Sequence, residues 1–262
     1  MSTSLAVATE ILVVDDLAIH FGGVHALDGV SLSACSGMVT GVIGPNGAGK
    51  TTLFNCLSGL LTPDRGQISF AGHQVFPGHR FSGTPRRRAR LGLGRTFQTP
   101  RLFRNLPVLD NLTLGCQVAD SANRTYAWDP ELQGVPRDER AARIAELVGL
   151  NVPLDSPTGS LSFGDLRVVE LTRALCAAPN LVLLDEPASG LDAEQAVAFV
   201  ALLRSLSRLG IGILLIEHDM SVVMDVCEQL TVLDFGQVIA RGTPEEIQNN
   251  DDVIRAYLGG AH

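Results

Sequence analysis

Apolar residues along this chain fall into two spacings. Apolar runs of strand length occur at residues 38–43, 181–184 and 211–216. Elsewhere they recur every three or four residues, as at Val168, Leu171 and Leu175, and mark one face of a helix. Runs of the first kind separated by stretches of the second predict an α/β fold built on a central sheet. The pattern predicts strands at 11–14, 38–43, 67–70, 94–97, 181–184 and 211–216, with a small hairpin from 231–233 and 237–240. It predicts helices at 51–60, 108–118, 137–150, 165–177, 193–208, 244–249 and 251–258. Residues 119–135 are polar and broken by Asp129-Pro130 and Gly134, so roughly 100–160 reads as an inserted helical subdomain. The core is then about 10–100 and 161–240, with terminal helices at about 244–258, all in one domain.

Composition narrows the function. A net charge of −8 argues against a nucleic-acid partner, which favours a basic face. The five cysteines are scattered without metal-ligand spacing and read as small buried apolar residues in a reducing compartment. Met1-Ser2-Thr3-Ser4 has no basic stretch before an apolar one, so no signal peptide is expected. No apolar run approaches the roughly 20 residues of a membrane span. The chain is therefore expected to be soluble, with any membrane role exerted through partners.

Lys50 is the only lysine, although the chain has 20 Lys and Arg together. It sits in Gly44-Pro45-Asn46-Gly47-Ala48-Gly49-Lys50-Thr51-Thr52, which fits the phosphate-binding pattern G-x-x-x-x-G-K-[ST]. A compact ammonium fits between phosphates where a planar guanidinium is too large. The glycines let backbone N–H groups converge on phosphate oxygens, and the helix that follows aims its N-terminus at the same charge. Thr51 is placed to ligate Mg²⁺. In Leu181-Val182-Leu183-Leu184-Asp185-Glu186-Pro187 an apolar strand delivers two carboxylates to its end. There Asp185 would hold Mg²⁺ and Glu186 would act as general base on the attacking water. Together these pieces predict a P-loop NTPase. Asn-Lys-x-Asp, the usual guanine-reading motif, would need a second lysine, so ATP is the expected nucleotide.

Leu161-Ser162-Phe163-Gly164-Asp165 opens a predicted helix and resembles the Leu-Ser-Gly-Gly-Gln signature of ATP-binding-cassette (ABC) ATPases, with Phe163 and Asp165 departing from it. The resemblance extends from about residue 12 to residue 258. It implies a RecA-like core with a small antiparallel β region and an inserted helical subdomain. By the same resemblance Ser189-Gly190-Leu191-Asp192 matches the D-loop, His218 the switch histidine at the γ-phosphate, and Gln98 the Q-loop glutamine at Mg²⁺ and water. Phe21 matches the aromatic that stacks on adenine. Ser162 to Asp165 would complete the ATP pocket of an opposing subunit, with the Asp165 carboxylate expected to point away from phosphate.

Phe21-Gly22-Gly23-Val24-His25-Ala26-Leu27, Arg95-Thr96-Phe97-Gln98 and Val253-Ile254-Arg255-Ala256-Tyr257-Leu258-Gly259 are similar to ATP-binding subunits of branched-chain amino-acid importers. That group implies a homologous second ATPase, as a homo- or heterodimer, two membrane permeases and a solute-binding protein. The chain would then be cytoplasmic, peripheral on the inner face of the membrane. Urea or amide import, lipid export and a non-transport ABC ATPase remain alternatives. Between residues 80 and 104 lie eight arginines and no acidic residue. The cluster reads as a solvated helix face or as a contact for lipid headgroups or a permease loop.

Overall fold

The computed structural model describes residues 9–77 and 83–258, and for Leu258 only the backbone. Met1 to Ser4, Arg80 and Gly259 lie outside the described residues. The chain begins with β1 (Glu10–Phe21), β2 (Val24–Cys35), β3 (Val39–Ile43) and α1 (Lys50–Ser58). Next come β4 (Arg65–Phe70), β5 (His73–Phe76), α2 (Pro85–Leu91) and β6 (Leu93–Arg95). Three helices follow, α3 (Val108–Ser121), α4 (Arg137–Leu147) and α5 (Phe163–Cys176), and then β7 (Leu181–Asp185). The remainder is α6 (Ala193–Arg208), β8 (Gly212–Ile216), α7 (Met220–Val226), β9 (Gln229–Asp234), β10 (Gln237–Gly242), α8 (Pro244–Gln248) and α9 (Asp251–Leu258).

Two sheets result, as the α/β reading with an antiparallel region requires. The larger has strand order β10-β9-β3-β8-β7-β6 and is parallel except for β10. The smaller is antiparallel with order β2-β1-β4-β5. Every residue of β3, β7 and β8 is buried. Side chains alternate between two cores, as the pleat dictates. Val182, Leu184, Ile213 and Leu215 face the helices, whereas Leu181, Leu183, Leu214 and Ile216 face α1 and the antiparallel sheet.

Several elements differ from expectation for identifiable reasons. β1 runs on to Phe21 because a register shift between Val14 and Leu17, with Asp16 at φ 47°, absorbs the two aspartates. The strand pattern does not mark β2, where Asp28 and Gly29 interrupt the buried series Leu27, Val30, Leu32 and Ala34. The short helix α2 is set by its Thr84 cap and Pro85, not by apolar spacing. Helix α5 packs against α3.

The arginine cluster is not one solvated face. Arg88 is only 2% exposed and donates to the carbonyls of Cys56 and Leu57 at the end of α1. Arg95 is largely buried beside Asp185, and Arg101 stacks on Phe97 at 4.4 Å. Arg86, Arg87, Arg90, Arg101 and Arg104 are exposed.

Gly115 lets α3 approach α5. A Cβ there would collide with the Arg173 carbonyl and lie 2.7 Å from the Cys176 Cβ. Gly115→Ala should therefore cost about 1–3 kcal/mol, read as a lower urea midpoint at unchanged slope.

Candidate active site at the carboxyl edge of the parallel sheet

Because β3, β8, β7 and β6 are parallel neighbours, their carboxyl ends share one edge. Val42 and Asp185 both pair with Ile216, and Arg95 pairs with Leu183, so the strands stop near the same level. Beyond them follow Gly44 from β3, Glu186 from β7, Glu217 and His218 from β8, and Gln98 three residues past β6. Ligands bind at such strand ends in open α/β sheets.

The Gly44–Thr52 loop wraps the start of α1. Gly49, in the left-handed region at φ 102°, is its N-cap, and a Cβ there would strike the Ala26 carbonyl. That contact also sets the β1–β2 hairpin, with half-exposed Phe21 at its tip, beside the loop. No side chain caps α1 and its first turn holds no acidic residue. By contrast α5, α6 and α8 are each capped by their own Ser, Asp or Thr. An uncapped N-terminus beside a lysine is an anion site with its donors free. Lys50 Nζ donates to the carbonyls of Gly44 at 2.6 Å and Pro45 at 2.9 Å. Burial pushes its pKa down, and the carboxylates of Glu186 and Asp185 oppose that shift.

Asp185 is 6% exposed, and Arg95 reaches it at 3.6 Å. Burial raises the Asp185 pKa, while the Arg95 charge works against the rise. Glu186 Oε2 accepts from Gln98 Nε2 at 2.8 Å and lies 3.8 Å from His218 Nδ1. Thr51, Gln98 and Asp185 line one cleft of about 410 Å³. A hydroxyl, an amide oxygen and a carboxylate form an all-oxygen donor set, which suits Mg²⁺ completed by phosphate oxygens and water. A dedicated cluster of His, Cys, Asp and Glu for a metal is absent among the described residues.

The remaining expected residues lie apart from this cleft. Gly164 and Asp165 line a different pocket with Leu191 and Gln195. The Asp165 side chain turns back onto Ser162. Ser162 Oγ donates to Asp165 Oδ2 at 2.6 Å and accepts from the Asp165 N–H at 3.2 Å. The cause is local: the serine caps α5, and a carboxylate in the first turn is its nearest acceptor. Phe163 packs against Gly190 under the Arg167 guanidinium, 4.9 Å away. The Ser189 carbonyl accepts from Arg167 Nη2 at 3.5 Å, and Asp192 forms a capping box with Gln195 on α6.

Comparison with known proteins fits this arrangement. Residues 27–189 match the ABC transporter family, and residues 237–262 match the family described as branched-chain amino acid ATP-binding cassette transporter. The chain belongs to the ABC transporter ATPase family. It is 38% identical over 258 residues to the high-affinity branched-chain amino acid transport ATP-binding protein BraF of Pseudomonas aeruginosa, covering 96% of this chain and 98% of that one. It is 35% identical over 250 residues to the lipopolysaccharide export system ATP-binding protein LptB of Escherichia coli, covering 95% and 97%. A solved ABC-transporter cassette in its ADP conformation superposes with a TM-score of 0.81 at 32% identity, over 96% of this chain and 99% of that one.

Around the site of this ABC ATPase stand groups that the motif reading missed. Arg95 contacts Asp185, and the buried Glu217 accepts from the Ala188 N–H at 2.7 Å. Tyr257 of α9 lines a cleft of about 870 Å³ with Pro45 to Ala48, so the C-terminal helix faces the phosphate loop. Only the adjacency of Arg95 to Gln98 and of Glu217 to His218 was visible in sequence.

Glu186 occupies the left-handed region at φ 47°, which costs a non-glycine residue about 1–2 kcal/mol. Glu186→Gly relieves that strain. The variant should unfold at the same urea concentration as the parent or slightly higher, by up to about 1 kcal/mol. A loss of stability would mean that the Gln98 contact outweighs the strain.

Proposed function

We propose that this chain is the ATP-hydrolysing subunit of an importer for branched-chain or related hydrophobic amino acids. The observation that carries this reading is the end-to-end similarity to a branched-chain amino acid transport ATPase, together with the matching C-terminal segment. ATP would lie along the carboxyl edge, with its adenine on Phe21 and its phosphates in the loop from Gly44 to Thr52. Lys50 would exchange its two carbonyl partners for phosphate oxygens. Thr51, Gln98 and Asp185 would hold Mg²⁺, which when bound neutralises charge on the phosphates. Glu186 would accept the proton of the attacking water, oriented by Gln98, while His218 contacts the γ-phosphate.

The signature segment Ser162 to Asp165 would serve a second cassette, because it lines a pocket separate from this chain's own phosphate loop. Ser189 to Asp192 would lie at the same junction. Two cassettes would close around ATP and reopen after hydrolysis, driving two permeases served by a solute-binding protein. Among the described residues no helix is long and apolar enough to cross a membrane, so membrane attachment on the cytoplasmic face would come through the permeases.

Glu186→Gln should lower turnover by roughly 10²- to 10⁴-fold while leaving ATP binding intact. It should shift the purified chain to a dimer on size exclusion with ATP, and wild-type hydrolysis would remove Glu186 as the base. The transport reading predicts that deleting the gene abolishes labelled leucine uptake and that a mild-detergent pull-down recovers two multi-span permeases. Recovery of lipopolysaccharide-export components with undiminished leucine uptake would replace the importer by an exporter.

A further inference from the structure

Sheet pairing along β6 ends at Thr96, whose N–H donates to the Leu183 carbonyl at 3.0 Å. One residue later, α5 takes over the backbone. The Phe97 N–H donates to Glu170 Oε2 at 3.2 Å, and the Phe97 carbonyl accepts from Arg167 Nη1 at 3.2 Å. Past Gln98 the pattern repeats. The Arg101 N–H donates to Glu170 Oε1 at 2.8 Å, and the Arg101 carbonyl accepts from Arg173 Nη2 at 2.6 Å. Both peptide groups at each end of the Gln98 loop are thus held by three side chains of one helix. These side chains recur every third residue and so share a face of α5. Glu170 is 1% exposed and Arg167 4% exposed, so the bonds lie in a medium where a lost partner is costly. The same helix begins at Ser162, the signature serine.

We propose that Arg167, Glu170 and Arg173 are positioning residues that fasten the Gln98 loop to the signature helix, so that displacement of that helix is delivered to the Gln98–Glu186 hydrogen bond. The proposal rests on the reading of Gln98 and Glu186 as ATP-site groups. The helix and the loop then move as one body against the sheet, with the hinge at the peptide between Thr96 and Phe97. Ligand contact at Ser162, made by the nucleotide of a second copy, is felt at this copy's own Glu186. The two ATP sites of a dimer are thereby coupled through a single buried carboxylate. Glu170 is buried with its two oxygens on the loop amides, so it acts through Gln98 and not on the reacting atoms.

A double-mutant cycle on the purified full chain tests this, with steady-state ATP hydrolysis and fluorescent-nucleotide binding as readouts. Glu170→Gln keeps the shape but replaces one acceptor oxygen by a donor facing an N–H. It should lower kcat by roughly 10- to 100-fold, the scale of a misplaced catalytic group, with nucleotide affinity within about twofold of wild type. In a Gln98→Ala background the same change should alter kcat by less than about twofold, because its effect runs through Gln98. Equal losses in both backgrounds, or wild-type kcat in Glu170→Gln, would overturn the clamp. Wild-type turnover in Gln98→Ala alone would instead overturn the reading of Gln98, and the clamp with it. If Glu170→Gln does not fold, Arg173→Met carries the same cycle, since Arg173 is partly exposed and its loss leaves Glu170 on both amides.

Discussion

The central strands of the large sheet are buried on both faces, and that constraint organises the rest of the molecule. Along β3, β7 and β8 every residue is buried and only the terminal Asp185 borders a cleft, so an unpaired charge has no tolerable position within the strands. Charged groups leave the sheet where the strands end. With the strands parallel, those ends are on one edge, and the carboxylates, the lysine and the histidine are gathered by exclusion from everywhere else. The chemistry of the site is in this sense a consequence of the packing of the core.

Crowding charge against a dry core has a cost that each group offsets by sharing partners. Asp185 and Glu170 are shifted upward and Lys50, Arg95 and Arg167 downward, in each case with burial as the leading cause. Every one of these shifts favours the neutral form. Each is resisted by a neighbour: Arg95 for Asp185, two loop amides for Glu170, two carboxylates for Lys50. Groups so interlocked cannot be moved singly, because taking away one partner strands the other in a medium that cannot solvate it. Glu186 sits differently. It is less buried and is held by a strained backbone, which aims its carboxylate out of the sheet toward Gln98 and His218.

Much of this was legible in the sequence, and the pattern of misses has a physical origin. The apolar runs 181–184 and 211–216 gave the central strands to within one residue, because double-sided burial leaves no polar interruption to misread. Helix α6 spans 193–208 as the apolar spacing predicts, and the structure shows Asp192 as its cap. The hairpin strand β2 escaped notice since its outward face meets water and its Asp28-Gly29 step breaks the alternation. Arg88 and Glu170 escaped for another reason. A charged residue in a helix reads as solvated unless its partner is known, and these partners are backbone atoms 31 and 69 residues away. Local pattern reports burial of apolar groups well and burial of charge hardly at all.

The two helix N-termini that bear phosphate motifs are built in opposite ways. At α1 the cap is a glycine without a side chain, so the first-turn amides keep their hydrogen-bonding capacity for a ligand. At α5 the cap is Ser162, which satisfies one amide itself and spends its own proton on Asp165. A hydroxyl has one proton to give. Under the proposed dimeric reading, a phosphate oxygen arriving from the partner cassette must displace Asp165 from that proton or accept only from the remaining backbone N–H groups. A carboxylate held beside the incoming anion also repels it. The P-loop end thus keeps its donors for phosphate, whereas at the signature end Asp165 competes for the one hydroxyl proton. Under the clamp proposed above, Arg167 and Glu170 join the signature helix to the Gln98 loop, so a shift of that helix would be registered at Glu186. The departure of Asp165 from the common signature, and the buried carboxylate one face along the same helix, are therefore two parts of one mechanical element.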